Sequence, residues 1–478
     1  WRLNDMSWQL SAMGFGITAW VCLCLTGACK KDPGISRAVP TIELSASDTV
    51  LIPDRISKTV SVRLTFSNVD AVAYLEVKKS GADNEVIRID RRDLSPTYWF
   101  KYRIKASDPE AFRLILTAYY QGSGKSRPLA FDVDNRWGFF IRSVRHIARV
   151  TGRPIAGELF PSPNRTSTEW NVGGTDLGVT WEMTPGRYGH FFGDTYGSDF
   201  VPNPSNPGPN GGSWRCNVLA FSEDTALADG LTLSAMATDQ GGNAREIIPG
   251  GKDQSGNGDW TSIPSAAVRA AGIDYVHYFN IRSWTGWVTN HSGLYRSNDN
   301  GQTWETVASV SFGPESAFGQ AGYFKKDGFV YMIGTQTGRD SPARLARFRE
   351  SDIENQDAYE YWDGMISQWI RGDETRASVL IADKVGELSF LYNETYDKWI
   401  VAYFNPDRYE ISMRTAEAVT GPWSRPYTLA SGRDYPQLYG SYFHPASANG
   451  DELYFLMSMW LPYNVFLMKA ELADMGEF

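Results

Sequence analysis

The feature that most constrains the fold of this chain is a rhythm of short strands that recurs after residue 145. Apolar and polar residues alternate, a turn follows, and the next strand often ends in aromatic residues. Alternation predicts β-strands, and recurrence at a spacing of about 45–70 residues predicts repeated units of four strands. These units are expected near residues 172–240, 260–310, 317–363, 385–430 and 438–470.

Repeated units of four antiparallel strands are typical of a β-propeller, in which each unit forms one blade around a central axis. Five blades are predicted over residues 145–474, and six are the alternative. The last unit supplies only three strands, so residues 146–150 are expected to add the fourth strand and close the ring. Closure of this kind leaves no unpaired edge strand.

Residues 41–135 carry a separate set of alternating strands divided by turn residues. Short strands without intervening helical patterns predict an immunoglobulin-like β-sandwich ahead of the propeller. The predicted fold class is therefore all-β. No cluster of catalytic residue types falls in this segment, so a spacer or a glycan-facing module is expected.

The N-terminal residues have the pattern of an export signal. Residues 14–28 are apolar and end in small residues directly before Cys29. This pattern predicts a lipoprotein signal peptide over residues 1–28, with Cys29 as the lipidated residue and a linker over residues 29–40. An uncleaved membrane anchor is the alternative. The protein is thus expected to be an outer-membrane lipoprotein that faces the periplasm or the cell surface.

The composition excludes several classes of function. The net charge is −9 and basic residues are not clustered, whereas nucleic-acid binding needs clustered Lys and Arg. With 5 His residues and no pattern of metal ligands or phosphate-binding glycines, no metal and no cofactor are predicted. Aromatic residues make up 14% of the chain and suit both a β-rich core and the apolar face of a sugar ring. A monomer is expected.

Residues 297–304 match the Asp-box pattern S-x-D-x-G-x-T-W. In that pattern the Asp and Gly residues fold a hairpin turn, while the Thr and Trp residues hold the turn against its sheet. The match predicts a propeller hairpin and says little about chemistry. A structural role is therefore expected for Asp299.

Two motifs on either side of a turn carry the candidate catalytic residues. Residues 173–181 read GGTDLGVTW, residues 190–196 read HFFGDTY, and a Pro-Gly turn lies between them. If the two flanks pair around residue 185, Asp176 and Asp194 stand equally far from the turn. Both carboxylates then lie at the same end of one hairpin, beside the central funnel of a propeller.

Two facing carboxylates destabilise an antiparallel strand pair by a few tenths of a kcal/mol to about 1 kcal/mol, so folding alone does not favour them. Their repulsion separates the two pKa values, which leaves one protonated acid and one carboxylate near neutral pH. Glycoside hydrolysis needs those two species. Asp176 and Asp194 are therefore predicted as the catalytic pair, with Asp194 preferred as the acid. Turn capping by either residue is the alternative.

Residues 173–181, 192–195 (FGDT) and 439–445 (YGSYFHP) resemble a propeller domain long catalogued as of unknown function and now counted as glycoside hydrolase family 183. The resemblance covers roughly residues 145–472. It implies a five-bladed fold, endo-acting hydrolysis of the D-arabinan in mycobacterial arabinogalactan and lipoarabinomannan, and inversion at the anomeric carbon. The family's two essential aspartates correspond to Asp176 and Asp194. Residues 41–135 lie outside this match and are similar to spacer modules on glycan-degrading surface lipoproteins of the Bacteroidota.

Six further residues are predicted to bind substrate, because they lie on inner strands, at the end of a second strand or next to the two aspartates. A structural role is the alternative for each of them. They are Thr175, Tyr196, Arg339, Glu387, Tyr439 and His444.

The predicted aspartate pair and the resemblance together imply an endo-D-arabinanase whose partners are the polysaccharide and, through the lipid anchor, the membrane. One alternative is a non-catalytic glycan-binding lipoprotein. Another is a propeller glycosidase of the sialidase or L-arabinanase type: the Phe/Tyr-Arg-Ile-Pro signature of sialidases is absent, whereas residues 421–424 (GPWS) also occur in propeller arabinanases. The residues alone leave the linkage, the chain-length preference and the choice between retention and inversion open.

Overall fold

The computed structural model describes residues 42–44, 50–51, 59–80, 85–105, 108, 111–122, 124–134 and 139–474. The predicted signal peptide, the linker and Cys29 lie outside these residues. Strands dominate the described ranges and confirm the all-β class. The helices there are α1 (Thr166–Glu169) and the 3₁₀ helices Val69–Ala71, Arg91–Asp93, Glu350–Asp352, Gln356–Ala358, Glu374–Arg376 and Pro445–Ala448. Within the described ranges no helix has the length and apolar character needed to span a membrane.

The N-terminal strands form two sheets. They are β1 (Ile42–Leu44), β2 (Val50–Leu51), β3 (Thr59–Phe66), β4 (Val72–Ser80), β5 (Val86–Asp90), β6 (Thr97–Arg103), β7 (Ala111–Tyr120) and β8 (Leu129–Asp134). One sheet has the strand order β1-β3-β6, and the other has the order β2-β8-β7-β4-β5. All neighbours are antiparallel except β2 and β8, which are parallel.

The two sheets form a sandwich because their strands alternate between apolar and polar side chains. In β3, every second residue is buried, and these are Val60, Val62, Leu64 and Phe66. They share one core with apolar side chains of β4, β6, β7 and β8. Alternating side chains point to opposite faces of a sheet, so the polar set of β3 faces outward. The assignment of this sandwich to the immunoglobulin type stays a prediction.

Five sheets follow the sandwich. The first contains β10 (Leu177–Thr184), β11 (Arg187–Phe192), β12 (Val218–Ser222) and β13 (Ala235–Met236), and the second contains β14 (Thr261–Ala270), β15 (Ile273–Ser283), β16 (Val288–Ser297) and β17 (Glu305–Phe312). The third contains β18 (Gln320–Lys326), β19 (Phe329–Thr335), β20 (Ser341–Arg349), β21 (Glu360–Asp363), β22 (Gln368–Arg371) and β23 (Val379–Val385). The fourth contains β24 (Leu388–Asn393), β25 (Lys398–Asn405), β26 (Glu410–Ala416) and β27 (Tyr427–Ser431), and the fifth contains β28 (Leu438–Phe443), β29 (Glu452–Met459), β30 (Asn464–Asp474) and β9 (Phe139–Arg149).

The third sheet is larger than the unit predicted at residues 317–363. Strand β20 pairs with β21 near its end and with β23 near its start. Neither β22 nor β23 has a regular alternation of buried and exposed residues. A period of two is the signal by which a strand is recognised in a sequence, so these two strands went unpredicted.

The first strands of the five sheets contact one another in cyclic order. β10 contacts β14, β14 contacts β18, β18 contacts β24, β24 contacts β28, and β28 contacts β10. As predicted for residues 146–150, the segment before the first sheet pairs with the last: β9 lies antiparallel to β30 as the fourth strand of the fifth sheet. The chain therefore joins the two ends of this array through one pair of strands.

Candidate active site

A cavity of about 360 Å³, here called the Asp176 cavity, lies where the five first strands begin. Each sheet contributes to its wall from the start of its first strand or from a residue close to that start. These residues are Asp176, Ile263, Gln320, Glu387 and Tyr439. The cyclic contact of the strands thus brings together side chains that are far apart in the sequence.

Aromatic side chains form much of the remaining wall. They are Phe279, Trp284, Trp287, Tyr442, Trp460 and Tyr463. Trp460 is 40% exposed despite its size. Rings combine a large apolar area with little loss of side-chain freedom, and a mostly apolar pocket with a few convergent polar groups is typical of a small-molecule site.

An irregular strand start aims Asp176 into the cavity. Leu177 has a φ of +65° and Gly178 a φ of +115°, and the register of β10 and β11 shifts between Leu177 and Val179. A bulge of this kind redirects the side chain beside it. Gly193 is needed opposite, because a Cβ there would lie 2.3 Å from Oδ1 of Asp176.

The carboxyl of Asp176 lacks hydrogen-bond donors on one side. Tyr439 donates its hydroxyl to Oδ2 at 2.9 Å, while the buried Oδ1 has no partner among the described residues. Burial and, after it, the charge of Asp194 raise the pKa of Asp176 to about 8, against the hydrogen bond from Tyr439. The neutral acid is therefore the favoured form at neutral pH.

Asp194 lies on the same cavity in a more polar environment. Its Oδ1 accepts hydrogen bonds from Nε1 of Trp214 at 2.8 Å and from the hydroxyl of Thr261 at 2.7 Å. Burial raises its pKa to about 6, and these two donors hold that pKa down. At neutral pH the carboxylate is the favoured form, so the two aspartates differ in protonation.

Arg339 and Glu387 form an ion pair in the wall beside Tyr439. Nη2 of Arg339 lies 2.5 Å from Oε1 of Glu387. The guanidinium also lies over the rings of Trp287, Phe404 and Tyr439, at 5.3, 5.0 and 5.1 Å from their centroids. Although burial opposes it, Glu387 holds the pKa of Arg339 above its usual value. The ion pair and the rings fix the wall behind Tyr439.

Three of the six predicted substrate-binding residues line the cavity: Arg339, Glu387 and Tyr439. Tyr196 is half-buried and packs against Phe200 and Tyr463. It is not among the residues that line the wall. Burial, and then the charges of Asp194 and Asp176, raise the pKa of Tyr196.

The prediction that Thr175 and His444 bind substrate is corrected by the structure, in which both residues are 0% exposed. The hydroxyl of Thr175 forms a hydrogen bond with that of Thr195 at 2.7 Å. This bond links the motif of Asp176 to that of Asp194. His444 follows the end of β28, where its Nδ1 accepts the N–H of Ala446 at 3.2 Å and caps a 3₁₀ helix. Its ring packs against Tyr188 at 4.4 Å between centroids. Neither side chain reaches the Asp176 cavity.

Sequence reasoning missed Trp214, Thr261, Gln320 and the tryptophans of the wall. Trp214 and Thr261 lie 20 and 67 residues from Asp194 along the chain. No spacing rule connects such positions. For the tryptophans, the signal in the sequence is the abundance of Trp, of which the chain has 17.

The Asp box has the structural role that its pattern predicts. Asp299 accepts hydrogen bonds from the backbone N–H of Gln302 and of Thr303 and from the hydroxyls of Ser297 and Thr303. Despite partial burial, these donors lower the pKa of Asp299 to about 2. They close the turn between β16 and β17, away from the Asp176 cavity.

Within the described ranges, no group of three or more His, Cys, Asp or Glu side chains is placed to hold a metal ion. Cys216 is buried and free. Burial raises the pKa of its thiol to about 12. A thiol with that pKa is protonated and unreactive at neutral pH.

Fold and site together define an all-β protein with a pair of carboxyls on an aromatic cavity at the centre of a cyclic array of sheets. The chain belongs to the family described as a domain of unknown function, DUF4185, whose model matches residues 161–469. The match includes both aspartates and leaves the N-terminal sandwich outside.

Two curated relatives extend over most of the same region. Notoamide biosynthesis cluster protein J of Aspergillus sp. (strain MF297-2) is 27% identical over 338 residues, which cover 66% of this chain and 87% of that protein. An uncharacterized 35.9 kDa protein of Mycolicibacterium smegmatis is 23% identical over 323 residues, which cover 61% of this chain and 88% of that protein. Neither name states a reaction.

Solved structures show weaker likenesses. A family 117 glycoside hydrolase of Zobellia galactanivorans has a TM-score of 0.39 and 11% identity, over 69% of this chain and 90% of that one. The Hadza microbial sialidase Hz136 has a TM-score of 0.37 and 13% identity, over 89% of this chain and 95% of that one. At these TM-scores neither likeness bears on fold or reaction, which rest on the chain's own sheets and side chains.

Proposed function

We propose that this protein is a glycoside hydrolase whose five sheets are the blades of a β-propeller and whose catalytic pair is Asp176 and Asp194. The observation that carries the proposal is the unequal environment of two carboxyls on one cavity. Oδ1 of Asp194 has two donors, whereas Oδ1 of Asp176 has none among the described residues. Pairs of carboxyls whose pKa values are pushed apart in this way supply acid and base together.

In the proposed reaction, Asp176 is the general acid and protonates the leaving glycosidic oxygen. Asp194, as a carboxylate, takes a proton from the attacking water. This assignment reverses the preference for Asp194 as the acid, because the pKa of Asp176 is the higher of the two. Tyr439 holds the Asp176 carboxyl in place through its hydrogen bond.

For the substrate we propose D-arabinan of the type found in mycobacterial arabinogalactan and lipoarabinomannan, cleaved internally with inversion. The support is the resemblance of residues 173–181, 192–195 and 439–445 to glycoside hydrolase family 183. The aromatic wall suits a neutral sugar, whose C–H faces pack on rings. Among the described residues of the wall, Arg339 supplies the guanidinium, and Glu387 already neutralises it.

The test is incubation with mycobacterial arabinogalactan. The products are then sized, and NMR gives the anomeric configuration of the product that is released first. Wild type is expected to yield short arabinan oligomers. Asp176→Asn and Asp194→Asn are expected to yield none, while Asp327→Asn, at an exposed turn, retains wild-type activity. Tight binding of arabinan without any product would identify a glycan-binding protein instead. Parallel incubations with a sialylated glycan and with L-arabinan complete the test, since release of sialic acid or of L-arabinose from them would identify another glycosidase.

We further propose that Cys29 anchors a monomeric protein to the outer membrane. The support is the apolar segment at residues 14–28 directly before this cysteine. Metabolic labelling with an alkyne fatty acid is expected to mark wild type and to fail with Cys29→Ser. Light scattering of the protein without its anchor is expected to give the mass of one chain.

A further inference from the structure

The outward face of the smaller sandwich sheet carries an exposed tryptophan between cations. Trp99 of β6 is 55% exposed. It stands directly opposite Arg63 of β3 in the ladder, and Lys101 and Arg103 follow it at alternate positions of β6. All three cations are exposed. Residues two apart on a strand share one face, so these four residues, here called the Trp99 face, form one patch.

The cations of the Trp99 face have no carboxylate partners among the residues that the structure describes. The other sheet of the sandwich differs in this respect. Its exposed cations pair with neighbouring acids: Arg113 lies 2.7 Å from Asp132, and Arg88 lies 3.4 Å from Asp90. The chain as a whole is acidic, with a net charge of −9. The Trp99 face is therefore a positively charged patch on a chain whose net charge is negative.

The ring of Trp99 is also without a partner in the described part of the chain. On the other sheet, the outward rings of Tyr74 and Tyr119 stack on each other at 4.7 Å between centroids. An exposed ring without packing partners is available to a ligand, and Trp and Arg are enriched among the residues that carry the energy of binding interfaces. The cations beside it select an anionic ligand, because they attract negative charge and repel other cations.

We infer that the Trp99 face binds an acidic polysaccharide, with the ring of Trp99 against the C–H face of a sugar and the three cations on its carboxylates. Strand β6 pairs with β3 without a register shift across the face, so successive residues of an extended polymer meet Trp99, Lys101 and Arg103 in turn. A single ring gives little apolar area for insertion into lipid, which favours a polymer over a membrane surface. This site is independent of the Asp176 cavity and of the proposed hydrolysis.

The test is binding of the full chain to immobilised polygalacturonate, a polymer of uronic acid, at low and high salt. Dextran serves as the neutral polymer, and phosphatidylglycerol vesicles serve as the anionic membrane. Trp99→Ala is expected to weaken binding about tenfold, and Trp99→Tyr to restore most of it. The double variant Lys101→Gln, Arg103→Gln is expected to bind more weakly and with less salt dependence. Arg113→Gln, on the other sheet, is the matched control and is expected to bind as wild type does.

Each variant changes an exposed side chain, so an unchanged Tm is expected and separates binding from folding. The inference is overturned if wild type does not bind polygalacturonate, or if dextran binds equally well. It is also overturned if vesicles bind while polygalacturonate does not, or if Trp99→Ala and Arg113→Gln behave alike. If the protein proves not to hydrolyse arabinan, the result of this binding test is unaffected, because the Trp99 face is separate from the Asp176 cavity.

Discussion

At the scale of single residues, Asp176 and Asp194 differ in the donors that their carboxyls receive. Burial raises the pKa of Asp194 to about 6 against its two donors. Burial and the charge of Asp194 raise the pKa of Asp176, which has one donor, to about 8. The base must be ionised and the acid protonated in the active form. On the proposed assignment, activity is therefore expected only between the two pKa values.

We expect kcat/KM to be bell-shaped in pH. It should fall below about pH 6 as Asp194 gains a proton and above about pH 8 as Asp176 loses one. Initial rates of arabinan cleavage across this range are the measurement. Activity that stays constant from pH 5 to 9 would contradict the assignment of these two groups.

Tyr439→Phe should shift only the alkaline limb of that profile, and the shift should be to higher pH. The hydroxyl of Tyr439 stabilises the ionised form of Asp176, so its removal raises the pKa of the acid. The control is Tyr442→Phe, in the same strand and on the same cavity, for which no bond to Asp176 is lost. An alkaline limb that moves downward, or moves equally in both variants, would be inconsistent with the bond.

Asp176→Asn should be more stable than wild type, and its advantage should grow as the pH rises. In the unfolded chain this carboxyl ionises near the ordinary pKa of an aspartate, 3.8, but in the folded protein it ionises near 8. The folded state therefore holds its proton more tightly, and its stability falls between those two values. The Tm difference between variant and wild type should grow from pH 4 to 8, reaching about 2 °C or more. Asp327→Asn should show no such trend.

At the scale of elements, the Asp-box hairpin shows how one side chain closes a turn. Asp299 satisfies two backbone N–H groups and two hydroxyls between β16 and β17. The indole of Trp304 then packs against Phe191 at 5.2 Å between centroids and holds the hairpin on the neighbouring sheet. The hairpin thereby contributes to stability without touching the cavity.

Asp299→Ala should lower stability by about 1–3 kcal/mol, because the turn loses charge-assisted hydrogen bonds. The rate of arabinan cleavage per folded molecule should be unchanged. Thermal unfolding followed by circular dichroism gives the first quantity, and initial rates give the second. Asn298→Ala, at the exposed preceding residue, should change neither. A loss of rate without a loss of stability would assign this hairpin to the chemistry.

In the hairpin of β10 and β11, the sequence pattern predicts the register of the strands but not the bulge at the start of β10. Its register follows from counting outward from the turn, and Thr180 does pair with His190. The bulge at Leu177 was not foreseeable, since a φ of +65° at a leucine comes from the surrounding structure. That bulge, rather than simple pairing, aims Asp176.

Inner-strand positions were predicted more reliably when they came at the start of a strand. Glu387 and Tyr439 occupy such positions and line the cavity. His444 follows the far end of β28 and is buried. Which end of a strand meets the cavity depends on the assembled sheets, and no local pattern around His444 reports it.

At the scale of the whole molecule, the pairing of β9 with β30 joins the segment before the first sheet to the last sheet. Arg149 ends β9 and is 0% exposed. Its guanidinium pairs with Glu158, donates to Oδ1 of Asn464 at 2.6 Å and lies 4.8 Å from the ring centroid of Phe466. One buried side chain therefore links the closing strand, the loop after it and β30.

Arg149→Met should destabilise the whole cyclic array, because it leaves Glu158 and Asn464 without their donor. Breaking a buried ion pair from one side costs about 3–5 kcal/mol. Since β9 completes the last sheet, the loss should lower the Tm of all five sheets in one transition rather than loosen a single strand. Calorimetry with hydrogen exchange of β28 to β30 is the measurement. Arg145→Met, at an exposed position of the same strand, is the control and should leave both unchanged. Faster exchange confined to β9, with the main transition at its wild-type temperature, would mean that the five sheets hold together without this closure.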